Sequence, residues 1–106
     1  MTDYYEDRSM ANDEKNARVW SIRLKTAREA IGFSQKTLGI AAGLDPSMAS
    51  TRINRYEVGV HAPAYSIALK LAEVLDVPVA YLYCDDEALS RIILEFHHTN
   101  KIMRPT

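Results

Sequence analysis

Apolar residues along this chain recur at helical spacing in successive short stretches, and nowhere do they alternate at strand spacing. Trp20, Leu24, Ala27 and Ile31 fall at i, i+4, i+7 and i+11, one face of a helix that Asn12 or Asp13 can cap and Gly32 can stop. A second helix covers about 35–42, with Leu38 and Ala42 inward. Asp45-Pro46 reads as the cap and first position of a third helix, which runs to about Tyr56 and turns Ala49, Ile53 and Tyr56 inward. After a turn over 58–63, a fourth helix at about 64–75 buries Ala68, Leu71, Ala72 and Leu75. Pro78 restarts a short helix that ends near Tyr83. Asp85-Asp86-Glu87 then places negative charge at the start of a last helix, about 86–98. Its stripe is Ala88, Leu89, Ile92, Ile93 and Phe96. The pattern predicts an all-α bundle of five or six short helices. The expected divisions are a mobile N-terminal tail over 1–11, a helical domain over 12–84, and a C-terminal amphipathic helix and tail over 85–106.

Composition narrows this picture only a little. A chain of 106 residues is one domain with one small core. The one cysteine, Cys84, rules out an internal disulfide, and the acidic, polar N-terminus is unlike a signal peptide. With no apolar run near 18 residues, no membrane span is expected, and the cytoplasm is the expected compartment.

Charge is more telling in its distribution than in its sum of −1. Residues 18–55 carry seven basic side chains against two acidic ones, whereas residues 1–17 carry two against five. The basic segment coincides with a distinctive local pattern. Ser34 can cap a helix start, Gly43 can close its end in the left-handed region, and Gly39 leaves room for a second helix to cross. A two-turn helix that is capped, crossed and sharply turned is the first half of a helix-turn-helix, a motif that places its second helix in a DNA groove.

These residues extend into a longer match. Arg28-x3-Gly32-x-Ser34-Gln35-x2-Leu38-Gly39-x3-Gly43, then Ile53-x2-Tyr56-Glu57-x-Gly59-x3-Pro63, then Ala72-x2-Leu75-x-Val77 resembles the XRE-type helix-turn-helix regulators, the Cro and lambda-repressor-like fold, over about residues 19–83. The resemblance implies a five-helix DNA-binding domain, usually dimeric, with helices 2 and 3 as the reading unit. It further implies a phosphate contact for Gln35 and a partly buried structural ion pair between Arg28 and Glu57. Two departures stand out. Between Gly43 and Glu57 this chain carries about four extra residues, close to one helical turn. That length predicts a recognition helix extended at its N-terminus. Val58 and Val60 stand where family members often carry basic or amide residues.

With Ala49, Ile53 and Tyr56 on one narrow arc, Ser47, Thr51, Asn54 and Arg55 face away from it, flanked by Met48 and Ser50. This short polar face has almost none of the Glu and Lys of an ordinary solvated surface. Asn can pair bidentately with adenine and Arg with guanine, and Ser or Thr can reach base or phosphate. The expected DNA-binding residues are Gln35, Lys36, Ser47, Ser50, Thr51, Asn54 and Arg55, with Arg23 a further exposed cation within reach of phosphate. Arg52, nearer the core edge, is a candidate for internal pairing. The spacing of His61, His97, His98 and Cys84 fits no zinc pattern, so neither metal nor cofactor is expected. No nucleophile, base and oxyanion set is visible, so no enzyme is expected. The partner expected is double-stranded DNA, bound by a homodimer that pairs through Leu89, Ile92, Ile93 and Phe96. The other readings are an antitoxin that binds DNA beside a toxin, and an adaptor that keeps the fold for an unidentified protein partner.

Overall fold

The computed structural model describes residues 18–103, and side chains as far as 101. The expected tail over 1–11 and the expected cap at Asn12 or Asp13 lie outside the described residues. The described residues form six helices and no strand. They are α1 (18–30), α2 (Gln35–Ala41), α3 (Ala49–Glu57), α4 (Tyr65–Leu75), α5 (Val79–Tyr83) and α6 (Glu87–Met103).

One core joins them. Trp20, Leu24 and Ala27 of α1 meet Leu38, Ile53, Tyr56, Leu71, Leu75 and Leu82, all buried. Each fully buried leucine here contributes about 1.5–3 kcal/mol relative to exposure. Ile31 departs from the expected inward stripe. Gly32 takes φ +75°, the helix is over by residue 30, and Ile31 is left exposed on the turn. Phe33 packs against the core in its place.

Close approach fixes how α2 meets α3. A Cβ built on Gly39 would stand 2.7 Å from the Ala49 Cβ and 3.0 Å from the Ala49 carbonyl oxygen, so only glycine allows this crossing. Ser34 caps α2 by accepting from the Thr37 N–H at 3.0 Å, and Gly43 closes it at φ +91°.

The start of α3 corrects the sequence reading. The helix begins at Ala49, so it is not extended by a turn from Pro46. The extra residues instead make a separate turn. The Asp45 carboxylate accepts from the Ser47 N–H at 2.8 Å and from its hydroxyl at 2.7 Å, while the Met48 N–H bonds the Asp45 carbonyl at 2.9 Å. Aspartate here offers the backbone a local alternative to the helix, and the insertion is taken up before α3 starts.

The last helix is longer than expected and docks by a different face. α6 runs to Met103, with the Asp86 carboxylate accepting from the Leu89 N–H at 2.8 Å at its start. Ser90, Ile93, Leu94 and His97 turn toward the bundle, at i, i+3, i+4 and i+7. The expected stripe is split: Ile93 is half-buried against its own core, whereas Leu89, Ile92 and Phe96 are 49%, 58% and 68% exposed. Two polar residues in the docking face, Ser90 and His97, hid it from a reading of apolar spacing.

Candidate nucleic-acid interface

Helix α3 buries Ala49, Ile53 and Tyr56 and leaves Ser50, Thr51, Arg52, Asn54 and Arg55 exposed, with no acidic residue among them. The apolar arc holds this helix on the core, and the Gly39–Ala49 contact sets its distance from α2. The outer face is therefore presented by a rigid base.

Behind that face lies a polar network. Arg28 Nε donates to one carboxylate oxygen of Glu57 at 2.6 Å, and a terminal nitrogen of the same guanidinium donates to the other at 3.0 Å. The second terminal nitrogen donates to the Phe33 carbonyl at 2.8 Å. The Glu57 side chain is 3% exposed, so its charge depends on this bidentate pair. The same contact pushes the Arg28 pKa up, chiefly through the hydrogen bond to Glu57. The pair joins α1 to the end of α3.

Gln35 lies between this pair and the exposed face. Its amide nitrogen donates to Glu57 and to Asn54 Oδ1, both at 3.2 Å. A carboxylate only accepts, so Glu57 dictates which end of the Gln35 amide turns inward. Asn54 must then accept through its oxygen, which leaves its own amide hydrogens pointing elsewhere. Both amide hydrogens of Gln35 are committed to protein, an arrangement that differs from the phosphate contact implied by resemblance.

The other expected residues divide clearly. Lys36, Ser50, Thr51, Asn54 and Arg55 are exposed on α2 and α3. Ser47 is exposed too, but it belongs to the turn before α3 and its hydroxyl bonds Asp45, so it is not on α3. Arg23 is buried. It donates to the Cys84 carbonyl at 3.1 Å and to Glu87 at 3.0 Å, and it stacks over the Tyr81 ring at 5.6 Å. It ties α1 to α6 and cannot reach phosphate. Arg52 turns back to its own helix and donates to the Tyr56 hydroxyl at 2.9 Å. Val58 and Val60 are exposed beside Gly59. A recess of about 280 Å³ beside α3 is lined by Met48, Arg52, Arg55, Tyr56 and His61. The valines beside Gly59 shift the expected phosphate contact toward Arg55 and His61, and both residues line this recess.

No helix among the described residues is long and apolar enough to cross a membrane. A family model described as helix-turn-helix matches residues 24–82. The chain belongs to the XRE-type helix-turn-helix family. The solved structure of the transcriptional regulator BswR is similar to it at 41% identity and a TM-score of 0.70, covering 78% of this chain and 86% of that one. Comparison with curated proteins finds no match.

Proposed function

We propose that this protein is a sequence-specific transcriptional regulator that lays α3 in the major groove of double-stranded DNA. The observation that carries the reading is the Gln35–Asn54 bond on an α3 face free of acidic residues. It sets the Asn54 amide so that its nitrogen can donate to adenine N7 while its oxygen accepts from N6. Arg55 suits guanine or phosphate, Thr51 and Ser50 extend the face, and Lys36 supplies a cation at the start of α2. Gln35 acts through Asn54 as a positioning residue.

The protein acts as a homodimer through α6. Leu89, Ile92 and Phe96 form an exposed apolar stripe, and Arg91 and Glu95, also exposed, bring opposite charges to the same helix. Such a surface is complementary to itself across a two-fold axis. A dimer places two recognition helices on half-sites about 34 Å apart.

Selection of bound sequences from a random duplex pool, followed by gel shifts on the selected site over a salt series, tests this reading. Affinity is expected to fall steeply with salt as phosphate contacts release counterions. Asn54→Ala is expected to cost about 1–3 kcal/mol of specific binding, with the folded state unchanged. Failure to select any sequence, or wild-type affinity of Asn54→Ala for the selected site, would refute the groove assignment.

A further inference from the structure

A second cluster of chemistry-bearing side chains lies far along the chain from the recognition face, where α4 ends against α6. Asp76 closes α4 in the left-handed region at φ +57° and ψ 45°, and its N–H bonds the carbonyls of Ala72 and Glu73. Its carboxylate reaches α6. One oxygen lies 3.2 Å from His97 Nε2, and the other accepts from Lys101 Nζ at 2.7 Å. His98 stands beside His97, with ring centroids 5.4 Å apart and planes tilted by 57°. One ligand atom from each of Asp76, His97 and His98 lies within 4.8 Å of the other two.

We propose that Asp76, His97 and His98 form a binding site for a divalent transition-metal ion of the Zn²⁺ type, with water completing the shell. Two imidazoles and one carboxylate match the donor preference of zinc and its neighbours, and they disfavour Mg²⁺ and Ca²⁺, which take oxygen. Zinc binds such nitrogens and oxygens at about 2.0–2.2 Å, so tetrahedral donors lie roughly 3.4 Å apart. Rotation of the His98 ring can make up the difference. His98 is exposed, and its ring contact is the one with His97, so rotation toward Asp76 breaks no hydrogen bond shown among the described residues. His97 and Asp76 already meet, which leaves little ordering to be done on that side.

Lys101 clarifies the arrangement. A surface ion pair between α4 and α6 needs only Asp76 and Lys101. The two histidines go beyond that need, and the ammonium sits on the carboxylate as a cation that a dication can displace. The donors come from the residue that caps the end of α4 and from the second half of α6, so the metal binds them together only while α6 is docked on α4. Bound metal therefore stabilises that docking by mass action. The sequence concealed the site because Asp76 precedes His97 by 21 positions, well outside the short ligand spacings of structural zinc sites.

The test uses the full chain and Zn²⁺ alone, titrated by calorimetry, with Co²⁺ as a spectroscopic probe and thermal melts with and without metal. One Zn²⁺ is expected per chain, with visible Co²⁺ absorption and a melting temperature raised by Zn²⁺. His98→Gln and Asp76→Asn are each expected to weaken Zn²⁺ by more than the roughly tenfold loss typical of an outer-shell partner. His61→Gln and Cys84→Ala are expected to leave binding unchanged, and Lys101→Met to tighten it. Because His98 is exposed, His98→Gln keeps the fold and carries the test if Asp76→Asn disturbs the end of α4. Absence of Zn²⁺ binding, or binding that His98→Gln leaves intact, would overturn the proposal.

Discussion

The α2–α3 unit and α6 expose opposite kinds of surface, and the difference separates two ways of being ready for a partner. The α3 face is polar and preset. Its backbone is held by the Gly39 crossing, and Asn54 is held by Gln35, Glu57 and Arg28 in sequence. A face preset in this way needs little further ordering to meet the base edge proposed for it. The α6 face is apolar and unsatisfied. Ser90, Ile93, Leu94 and His97 dock it, while Leu89, Ile92 and Phe96 stay in water. A surface of that kind carries no directional information and gains by being covered. The proposed function accordingly assigns recognition of sequence to the first region and assembly to the second.

The comparison is broken most severely at the base of the network. Glu57→Ala removes the acceptor that holds both Arg28 and Gln35, and it strands a largely buried guanidinium. The expected cost is about 3–5 kcal/mol of stability, read by chemical denaturation. A loss within a few tenths of a kcal/mol would mean that the pair is solvated and that the recognition face does not depend on it.

The apolar region responds differently. Ile92→Glu with Phe96→Glu alters two side chains that are 58% and 68% exposed, so the folded domain is expected to persist. Sizing is expected to give a monomer. DNA affinity is expected to fall by about a hundredfold or more as the second half-site loses its tether. Monomeric wild-type protein at high concentration would remove the assembly role from α6. Unfolding of the double variant would show that the stripe belongs to the domain's own core.

Between these two regions also lies the boundary of what the sequence made legible. Helix number, order and core were readable because Leu24, Leu38, Ile53, Leu71 and Leu75 obey one period and glycines mark the stops. The candidate groove residues on α3 were readable as the complement of that arc. Three features were not readable, each for a physical reason. The Asp45-Pro46 signal of a helix start has the same local grammar as the isolated turn that forms. Arg23 resembles any surface cation until the chain brings the Cys84 carbonyl, Glu87 and Tyr81 around it, more than fifty positions away. The docking face of α6 includes Ser90 and His97, which apolar spacing cannot count.

Gln35 sharpens the comparison at a smaller scale, because the resemblance and the geometry predict different outcomes. A residue on phosphate weakens binding to all sequences alike. A residue that orients Asn54 weakens binding chiefly at the one base pair under Asn54. The geometry therefore predicts that Gln35→Ala relaxes selectivity at that position by roughly 1 kcal/mol, the lower end of what a bidentate base contact is worth. A uniform loss across all operators would return Gln35 to the phosphate role. Reselection of bound sequences with the variant distinguishes the two.

The smallest effect is expected at the inserted turn before α3. Asp45 accepts two hydrogen bonds from Ser47, through its hydroxyl and its N–H, and these hold the carboxyl below the usual carboxylate range. A lowered folded-state pKa means that the contribution is complete above the ordinary Asp value and is lost as pH falls through the lowered one. The turn is therefore intact at neutral pH and loosens only in acid. Amide shifts of Ser47 and Met48 followed by NMR should titrate below the ordinary Asp range, while those of Asn54 and Arg55 stay still over the same interval. Asp45→Asn, whose side-chain oxygen still accepts, should keep the turn and abolish the titration. If the Asn54 and Arg55 amides moved together with Ser47, the turn and the recognition helix would be one cooperative element, and the insertion would bear on readout after all.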